Sequence, residues 1–358
     1  MNKTLRSILQ FLFFLALGVA IITYIYTNLE SAYLEDCMQS GNTDCSFSGK
    51  ILDDFKKVNV WWIGLVMIMF MLSNWSRATR WIMLIEALGY KVRKANAFFT
   101  IMLGYFANMG LPRMGEFIRA GSFARYEKIP VDRVMGTIVT DRLFDVFSLL
   151  IIIILALILE FDMFGGFLAE NAVIPGGASL GPWLIGIVAV IGLLSIYYHR
   201  KLIALLPGTL SEKVQAIVDG VKEGILSVKK LRSPGAFLFH SAFIWLLYYL
   251  MTYLCFFSFP PTSHLSMTAG LIVFVFGSLG MVIPTPGGLG SYHYLVMVAL
   301  GLYGISDTDS FSFAFILYLS IAVLCNVIFG VIALLFLPLH NRHHQDNTEN
   351  GSIVTDQG

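Results

Sequence analysis

The chain has 358 residues, of which 57% are hydrophobic and only 13% are charged. This is more apolar surface than one soluble core buries, so the composition excludes an ordinary soluble protein and favours one that crosses a membrane several times. The formal net charge of +1 gives no electrostatic support to a nucleic-acid partner.

The N-terminal part predicts a membrane helix followed by a polar loop. The apolar run 8–26 is too long for the core of a signal sequence and has no cleavage site behind it, so we interpret it as an uncleaved first span. Residues 30–57 are polar and acid-rich, and they contain Cys37 and Cys45. A disulfide between the two is possible if the loop faces an oxidising compartment; two free thiols are the alternative.

The next segments predict a second span and a broken one. Residues 58–85 form the span, and its tryptophans, including Trp75 and Trp81, are placed as interfacial anchors would be. The apolar stretch 97–111 is too short to cross a bilayer, and a Pro-x-x-Gly break with charges follows it, N-M-G-L-P-R-M-G-E-F-I-R at 108–119. We therefore predict a re-entrant hairpin over 97–125.

The second half of the chain repeats this order. Predicted spans at 134–159, 183–198, 234–259 and 311–337 are interrupted by a basic amphipathic segment and by a second hairpin at 266–304. The segment, 200–233, is predicted to be cytoplasmic, either flat on the membrane or packed under the bundle. The second hairpin carries its own break, P-T-P-G-G-L-G at 284–290, and the polar tail 340–358 is predicted to be disordered.

Charge placement predicts the topology. If both hairpins return to their starting side, the chain has six full spans and both termini are cytoplasmic. All lysines and arginines except Lys50, Lys56 and Lys57 then lie in or next to the cytoplasm, as the positive-inside rule requires. Hairpins that are each two full crossings satisfy the rule equally well. The expected fold is an all-α integral membrane protein in which 1–160 and 180–338 form an inverted repeat.

The two breaks are the candidate substrate site. Irregular backbone at membrane depth persists only beside protein or a polar cavity, and a new helix N-terminus with free N–H groups attracts anions. The charged residues near the first break either face an anionic headgroup or form an internal salt-bridge network. His293 either serves the site or packs. The candidate substrate-binding residues are Asn108, Pro112, Arg113, Glu116, Arg119, Asp141, Arg142, Asp145, Pro284, Pro286, Gly287, Gly288, Gly290 and His293.

These motifs carry a family resemblance. The pattern at 108–119, D-R-L-F-D at 141–145 and the glycine-rich break at 284–290 resemble the transmembrane flippase-like domain of the lysylphosphatidylglycerol synthase family. The family often has Glu where this chain has Asp141. The full-length synthases continue into an aminoacyl-transferase domain, whereas this chain continues into a short polar tail, so the resemblance implies a stand-alone bacterial member without lysyl-transfer activity.

The resemblance implies a multi-pass protein of the inner (cytoplasmic) membrane. The favoured function is flippase-like transport of a polar, anionic lipid headgroup along a groove between the two hairpins. An enzyme acting on a lipid-linked sugar or phospholipid headgroup, or an accessory protein to a separate synthase, is the alternative. The sequence contains no recognisable catalytic or nucleotide motif, and we expect no cofactor or metal. The expected partner is a membrane phospholipid or a polyprenyl-linked lipid, and the oligomeric state is open.

Overall fold

A computed structural model describes residues 3–41, 45–110, 114–161, 231–283 and 285–353 of the chain. Every regular element in these ranges is helical. The predicted span at 183–198 lies outside the described residues, as does all but the end of the amphipathic segment 200–233.

The described helices follow one another with short connections. They are α1 (Lys3–Gln39), α2 (Phe47–Lys56), α3 (Val60–Glu86), α4 (Lys94–Gly110), α5 (Gly115–Glu127), α6 (Val131–Leu159), α7 (Pro234–Phe256), α8 (Met267–Val282), α9 (Ser291–Gly301), α10 (Asp307–Tyr318) and α11 (Asn326–Ile353). Short 3-10 turns at Pro260–Thr262 and Pro286–Gly288 flank α8, and a π-helical stretch, Leu319–Cys325, joins α10 to α11.

Local sequence explains where several helices begin. Ser46, Asn59, Ser266 and Ser306 precede α2, α3, α8 and α10, and each side chain accepts a hydrogen bond from a backbone N–H in the first turn. Such caps satisfy donors that a helix start would otherwise leave unpaired. Polar residues thus begin new helices between the apolar segments.

Four described helices are long and apolar enough to cross a membrane. They contain the ranges Leu12–Gln39, Val131–Leu159, Pro234–Phe256 and Asp307–Arg342. A fifth is possible if α2 and α3, which are bent by 71° relative to each other, count as one broken span. The all-helical, multi-pass class predicted from composition is therefore confirmed, with four to five candidate spans in the described part of the chain.

The two predicted hairpins are pairs of short helices that pack against each other. The first pair, α4 and α5, has arms of 17 and 13 residues, and the second pair, α8 and α9, has arms of 16 and 11. Each arm is shorter than the roughly 20 residues that a membrane-spanning helix needs. Glycines bring the arms close together, since a Cβ at Gly280 would lie 2.7 Å from the Cα of Tyr292.

The C-terminal helix extends further than the sequence predicts. Residues 340–353 continue α11 instead of starting a disordered tail at 340. The physical reason is visible at Asn341, which is buried and exchanges two side-chain hydrogen bonds with Asn96 at the start of α4, at 2.8 and 3.0 Å. This amide pair fastens the end of the last span to the base of the first hairpin.

The N-terminal region is also more ordered than a polar loop. Helix α1 continues to Gln39, well beyond the apolar run, and a disulfide joins Cys37 to Cys45 ahead of α2. Lys50 on α2 binds both Asp54 and Asp309, at 2.6 and 2.8 Å, and so ties α2 to the start of α10.

The chain divides into two compact units, which are described separately. Residues 1–142 and 235–358 form the first, and 143–234 form the second. In the second unit the structure describes the rest of α6 up to residue 161, and residues 231–234. All contacts discussed below lie within the first unit.

Candidate functional site

The first break is closed by a hydrogen bond between its two helices. The Asn108 side chain, at the end of α4, accepts from the backbone N–H of Gly115, the first residue of α5, at 2.7 Å. Asn108 therefore satisfies one of the free N–H groups that the sequence assigned to an anion. Pro112 and Arg113, which form the centre of the break, lie outside the described residues.

The second break depends on glycine. Gly287, Gly288 and Gly290 have φ values of 60°, 77° and 83°, in the left-handed region that residues with a Cβ rarely adopt. Pro286 starts the 3-10 turn of this break, and Pro284 lies outside the described residues. The turn is held from above by Tyr318, whose hydroxyl donates to the carbonyl oxygen of Gly287 at 3.0 Å.

A serine and a threonine secure the start of α9. The Ser291 hydroxyl donates to the carbonyl oxygen of Gly280 at 2.8 Å and lies 2.9 Å from the Thr285 hydroxyl. These bonds hold the second break against α8, so its backbone conformation is defined by three partners, including Tyr318.

Elements from the rest of the bundle meet at the second break. The 3-10 turn Pro286–Gly288 contacts both α4 and α1. The contact with α1 is close, because a Cβ at Gly290 would lie 2.5 Å from the carbonyl oxygen of Gly18. The two predicted site regions are thus brought together through α4, and α1 covers one side of the second break.

Behind the first break, three arginines converge on one aspartate. Asp141 on α6 is fully buried, and its Oδ1 accepts from Nε and Nη2 of Arg80 at 2.8 and 2.6 Å. Its Oδ2 lies 3.4 Å from Nη1 of Arg77 and 3.8 Å from Nη1 of Arg119. All three arginines are at most 3% exposed. We call Arg77, Arg80, Arg119 and Asp141 the arginine cluster.

Two members of the arginine cluster were missed by the sequence analysis. Arg77 and Arg80 stand at the end of the second predicted span, where they were counted as cytoplasmic charges. In the structure they point into the bundle, and Arg77 donates to the Tyr248 hydroxyl and Arg80 to the Ser241 hydroxyl, both on α7. The available signal was their spacing with Ser73 and Ser76, which places four polar residues on one stripe of α3.

Arg119 differs from the other two arginines in its surroundings. Its guanidinium lies 3.8 Å from the ring centroid of Trp81, a stacking distance for a cation on an aromatic face. Among the described residues, none of its three side-chain nitrogens has a hydrogen-bond partner, although all three are buried. A buried donor without a partner costs about 1–3 kcal/mol, and more when it is charged.

Trp81 therefore does not act as an interfacial anchor. It is completely buried, and its Nε1 donates to the Thr137 hydroxyl on α6 at 2.9 Å, which fixes the ring beneath Arg119. Trp75, one of the other predicted anchors, is 53% exposed. The two tryptophans lie on different faces of α3, which hydropathy alone does not distinguish.

The remaining charged candidates lie nearer the surface. Arg142 binds Glu116 at 2.8 Å, and both side chains are partly exposed. This pair ties the start of α5 to α6 and corresponds to the internal salt-bridge alternative. Asp145 is buried one turn further along α6.

His293 is a buried packing residue in this structure. Its ring is completely buried, with the Phe315 ring centroid 4.2 Å away and that of Tyr318 at 4.7 Å. Within the described part of the chain, neither ring nitrogen has a hydrogen-bond partner. These contacts place it behind the second break, among the aromatic side chains of α10.

The chemistry of the site favours an anion over a metal ion. No group of three or more His, Cys, Asp or Glu side chains suited to a metal occurs among the described residues. The arginine cluster instead supplies guanidinium groups, which present planar pairs of N–H donors suited to carboxylate or phosphate oxygens.

The contact between α1 and the second break can be tested at Gly290. An alanine there must adopt a left-handed conformation, at about 1–2 kcal/mol, and its Cβ also meets the backbone of Gly18. Overpacking adds about 1–3 kcal/mol. Gly304 is the matched control, because its φ of 75° is similar and a Cβ there meets nothing within 4 Å.

We expect Gly290→Ala to lower the free energy of unfolding by at least about 1 kcal/mol more than Gly304→Ala. Thermal unfolding of both variants in the same detergent, followed by circular dichroism, measures the difference. Equal effects of the two substitutions would contradict a tight contact between α1 and the break.

Fold and site together define an all-helical, multi-pass integral membrane protein with two broken-helix hairpins and a buried cationic cluster. The family described as the lysylphosphatidylglycerol synthase TM region matches residues 47–330, well over half of the chain. The chain belongs to this family, which confirms the resemblance seen in the motifs. The matched region begins after α1 and after the disulfide.

Two archaeal proteins are similar to the chain. A UPF0104 membrane protein from Methanothermobacter thermautotrophicus is 23% identical over 290 residues, which covers 73% of this chain and 81% of the relative. A UPF0104 membrane protein from Methanocaldococcus jannaschii is 30% identical over 99 residues, covering 27% of this chain and 30% of the relative. No solved structure matches the chain at a significant level.

Proposed function

We propose that this protein moves a lipid with a polar, anionic headgroup between the two leaflets of a membrane. The headgroup passes along a groove formed by the two broken-helix hairpins, and the acyl chains stay in the bilayer. The observation that carries this proposal is the arginine cluster, whose three buried guanidinium groups lie directly behind the first break.

Buried cations of this kind need a functional or structural reason. Ionisable groups at membrane depth are costly, and they face the protein interior or a substrate path. Asp141 compensates part of the positive charge, and the cluster is positioned by α3, α5, α6 and α7 together. A negative headgroup supplies the complementary charge as it enters the bundle.

The short hairpin arms support a re-entrant arrangement. At 1.5 Å per residue, the longest arm of 17 residues reaches about 26 Å, less than the roughly 30 Å hydrocarbon core. In this proposal both hairpins end near the middle of the bilayer and enter from opposite sides, as in an inverted repeat. Both termini are then cytoplasmic, in an inner membrane.

The exposed surface around the breaks supports access from the lipid. Met109 and Met114 flank the first break and are 38% and 44% exposed, and Val282, just before the second break, is 67% exposed. Apolar side chains at such positions suit contact with acyl chains. A lipid can thus approach both breaks without its chains leaving an apolar environment.

Transport is tested by reconstitution into vesicles that contain an acyl-labelled fluorescent lipid. Dithionite quenches only label in the outer leaflet, so lipid movement appears as additional quenching with time. We expect wild-type protein to move phosphatidylglycerol at least about tenfold faster than protein-free vesicles, and Gly287→Leu to lose most of this rate, because the left-handed backbone next to Tyr318 is lost.

Gly304→Leu is the control for this experiment, since it has the same backbone requirement at an open position outside the breaks. It is expected to keep the wild-type rate. Failure of the wild-type protein to accelerate any anionic lipid would sink the proposed function. Equal loss of rate in both variants would remove the role of the second break.

A further inference from the structure

Arg119 has the properties of a ligand-binding residue rather than of an ion-pair partner. Its nearest carboxylate oxygen, Oδ2 of Asp141, is 3.8 Å away, beyond hydrogen-bonding distance. The Asp141 carboxylate is already occupied by Arg80 on one oxygen and by Arg77 on the other. The guanidinium of Arg119 is therefore left with its N–H donors unused by the described residues.

The unused donors are held in a fixed orientation. Trp81 covers one face of the guanidinium at 3.8 Å, and Thr137 holds Trp81 in place. On the other hairpin arm, a Cβ at Gly104 would lie 3.2 Å from the Cβ of Arg119, so α4 passes close to the base of the side chain. A stacked, confined guanidinium of this kind presents its N–H edge in a defined direction.

The position of Arg119 relates it to the first break. It lies one turn into α5, which begins at Gly115 immediately after the break. Buried polar groups are nearly always hydrogen-bonded, so an orphaned guanidinium indicates an acceptor that binds there. The acceptor must be an anion with at least two oxygens that match the guanidinium fork.

We propose that Arg119 binds the phosphodiester of a lipid headgroup, with its N–H donors directed at the two non-bridging oxygens. Trp81 and Asp141 are positioning residues, the first through stacking and the second by holding Arg77 and Arg80 away from the fork. This assignment rests on the proposed function for its lipid substrate. It adds the chemical class of the headgroup and the residue that recognises it.

Binding to purified protein in zwitterionic nanodiscs tests the assignment. The probes are short-chain phosphatidylglycerol, a short-chain diacylglycerol hemisuccinate with a carboxylate in place of the phosphodiester, and inorganic phosphate. Isothermal titration calorimetry compares wild type with Arg119→Lys, which keeps the charge and loses the fork. Arg125→Lys, at an exposed position of α5, is the matched control.

We expect phosphatidylglycerol to bind wild type at least about tenfold more tightly than either other probe, and Arg119→Lys to lose at least about tenfold. Arg125→Lys should bind like wild type. Unchanged affinity in Arg119→Lys, or equal affinity for the hemisuccinate, would overturn the proposal. Equal affinity for inorganic phosphate would assign the site to a soluble anion and would overturn the lipid assignment.

A stability measurement separates binding from a purely structural role. Because Arg119 has no hydrogen-bond acceptor among the described residues, Arg119→Met is expected to leave the unfolding temperature of lipid-depleted protein unchanged or higher. A clear decrease would show a structural role and contradict the proposal. Wild-type vesicles that bind phosphatidylglycerol through Arg119 without moving it would refute the proposed function alone, whereas normal transport by Arg119→Lys would refute this inference alone.

Discussion

Asp141→Asn is expected to lower the free energy of unfolding by about 3–5 kcal/mol, the usual cost of removing one partner from a buried ion pair. The reason is that Arg77 and Arg80 both bind this carboxylate, and both remain buried and charged when it becomes an amide. The asparagine retains the volume, so packing changes little. Chemical unfolding in detergent, followed by circular dichroism, measures the loss.

Asp132→Asn is the matched control on the same helix. The Asp132 side chain is 79% exposed, and its nearest cation, Arg133, lies 3.9 Å away and is also exposed. Exposed pairs contribute at most about 1 kcal/mol, so this variant should unfold nearly as wild type does. If the two variants proved equally stable, the arginine cluster would not depend on Asp141.

Gly115→Ala is expected to separate the arms of the first hairpin. A Cβ at Gly115 would collide with the carbonyl oxygen of Gly104 and would lie 2.5 Å from Cγ of Asn108. The helices must move apart, which also breaks the hydrogen bond from Gly115 to Asn108. Overpacking against rigid backbone costs about 1–3 kcal/mol, and a buried N–H that loses its acceptor costs about as much again.

Gly121→Ala tests the same replacement on the same helix without the collision, because a Cβ at Gly121 meets nothing within 4 Å. Alanine is the better helix former, so this variant should be as stable as wild type or slightly more stable. Thermal unfolding of the two variants side by side gives the comparison. A Gly115→Ala protein with wild-type stability would contradict the close packing of α4 and α5.

Much of the fold could be predicted because membrane helices announce themselves by length and apolar composition. The breaks were visible for a related reason, since Pro and Gly interrupt apolar sequence at 112–115 and 284–290. The end of the last helix was not visible. Asn341 is polar and follows an apolar span, so its burial depends on Asn96, which lies far away in sequence.

The site could be predicted only where charge interrupts an apolar run. Asp141 and Arg119 were found in this way, whereas Arg77 and Arg80 stand at the end of a span, where positive charge is expected on the cytoplasmic side. Trp81 was missed for the same reason. Deciding whether a terminal arginine faces water or the bundle requires the helix rotation, and that is set by tertiary contacts such as Ser241 and Tyr248.

The last membrane helix links both hairpins mechanically. Below the π-helical stretch, α11 packs along α4, where Gly330 allows Phe106 to approach closely, and Asn341 is bound to Asn96. Above it, α10 packs on α9, and Tyr318 is bound to Gly287 in the second break.

The π-helical stretch, Leu319–Cys325, lies between these two attachments. Wide turns of this type deviate from regular helix geometry and often occur where proteins change shape. A rotation of the helix about this joint displaces one hairpin relative to the other while both attachments persist. The joint therefore offers a route by which opening on one side of the bilayer is transmitted to closing on the other.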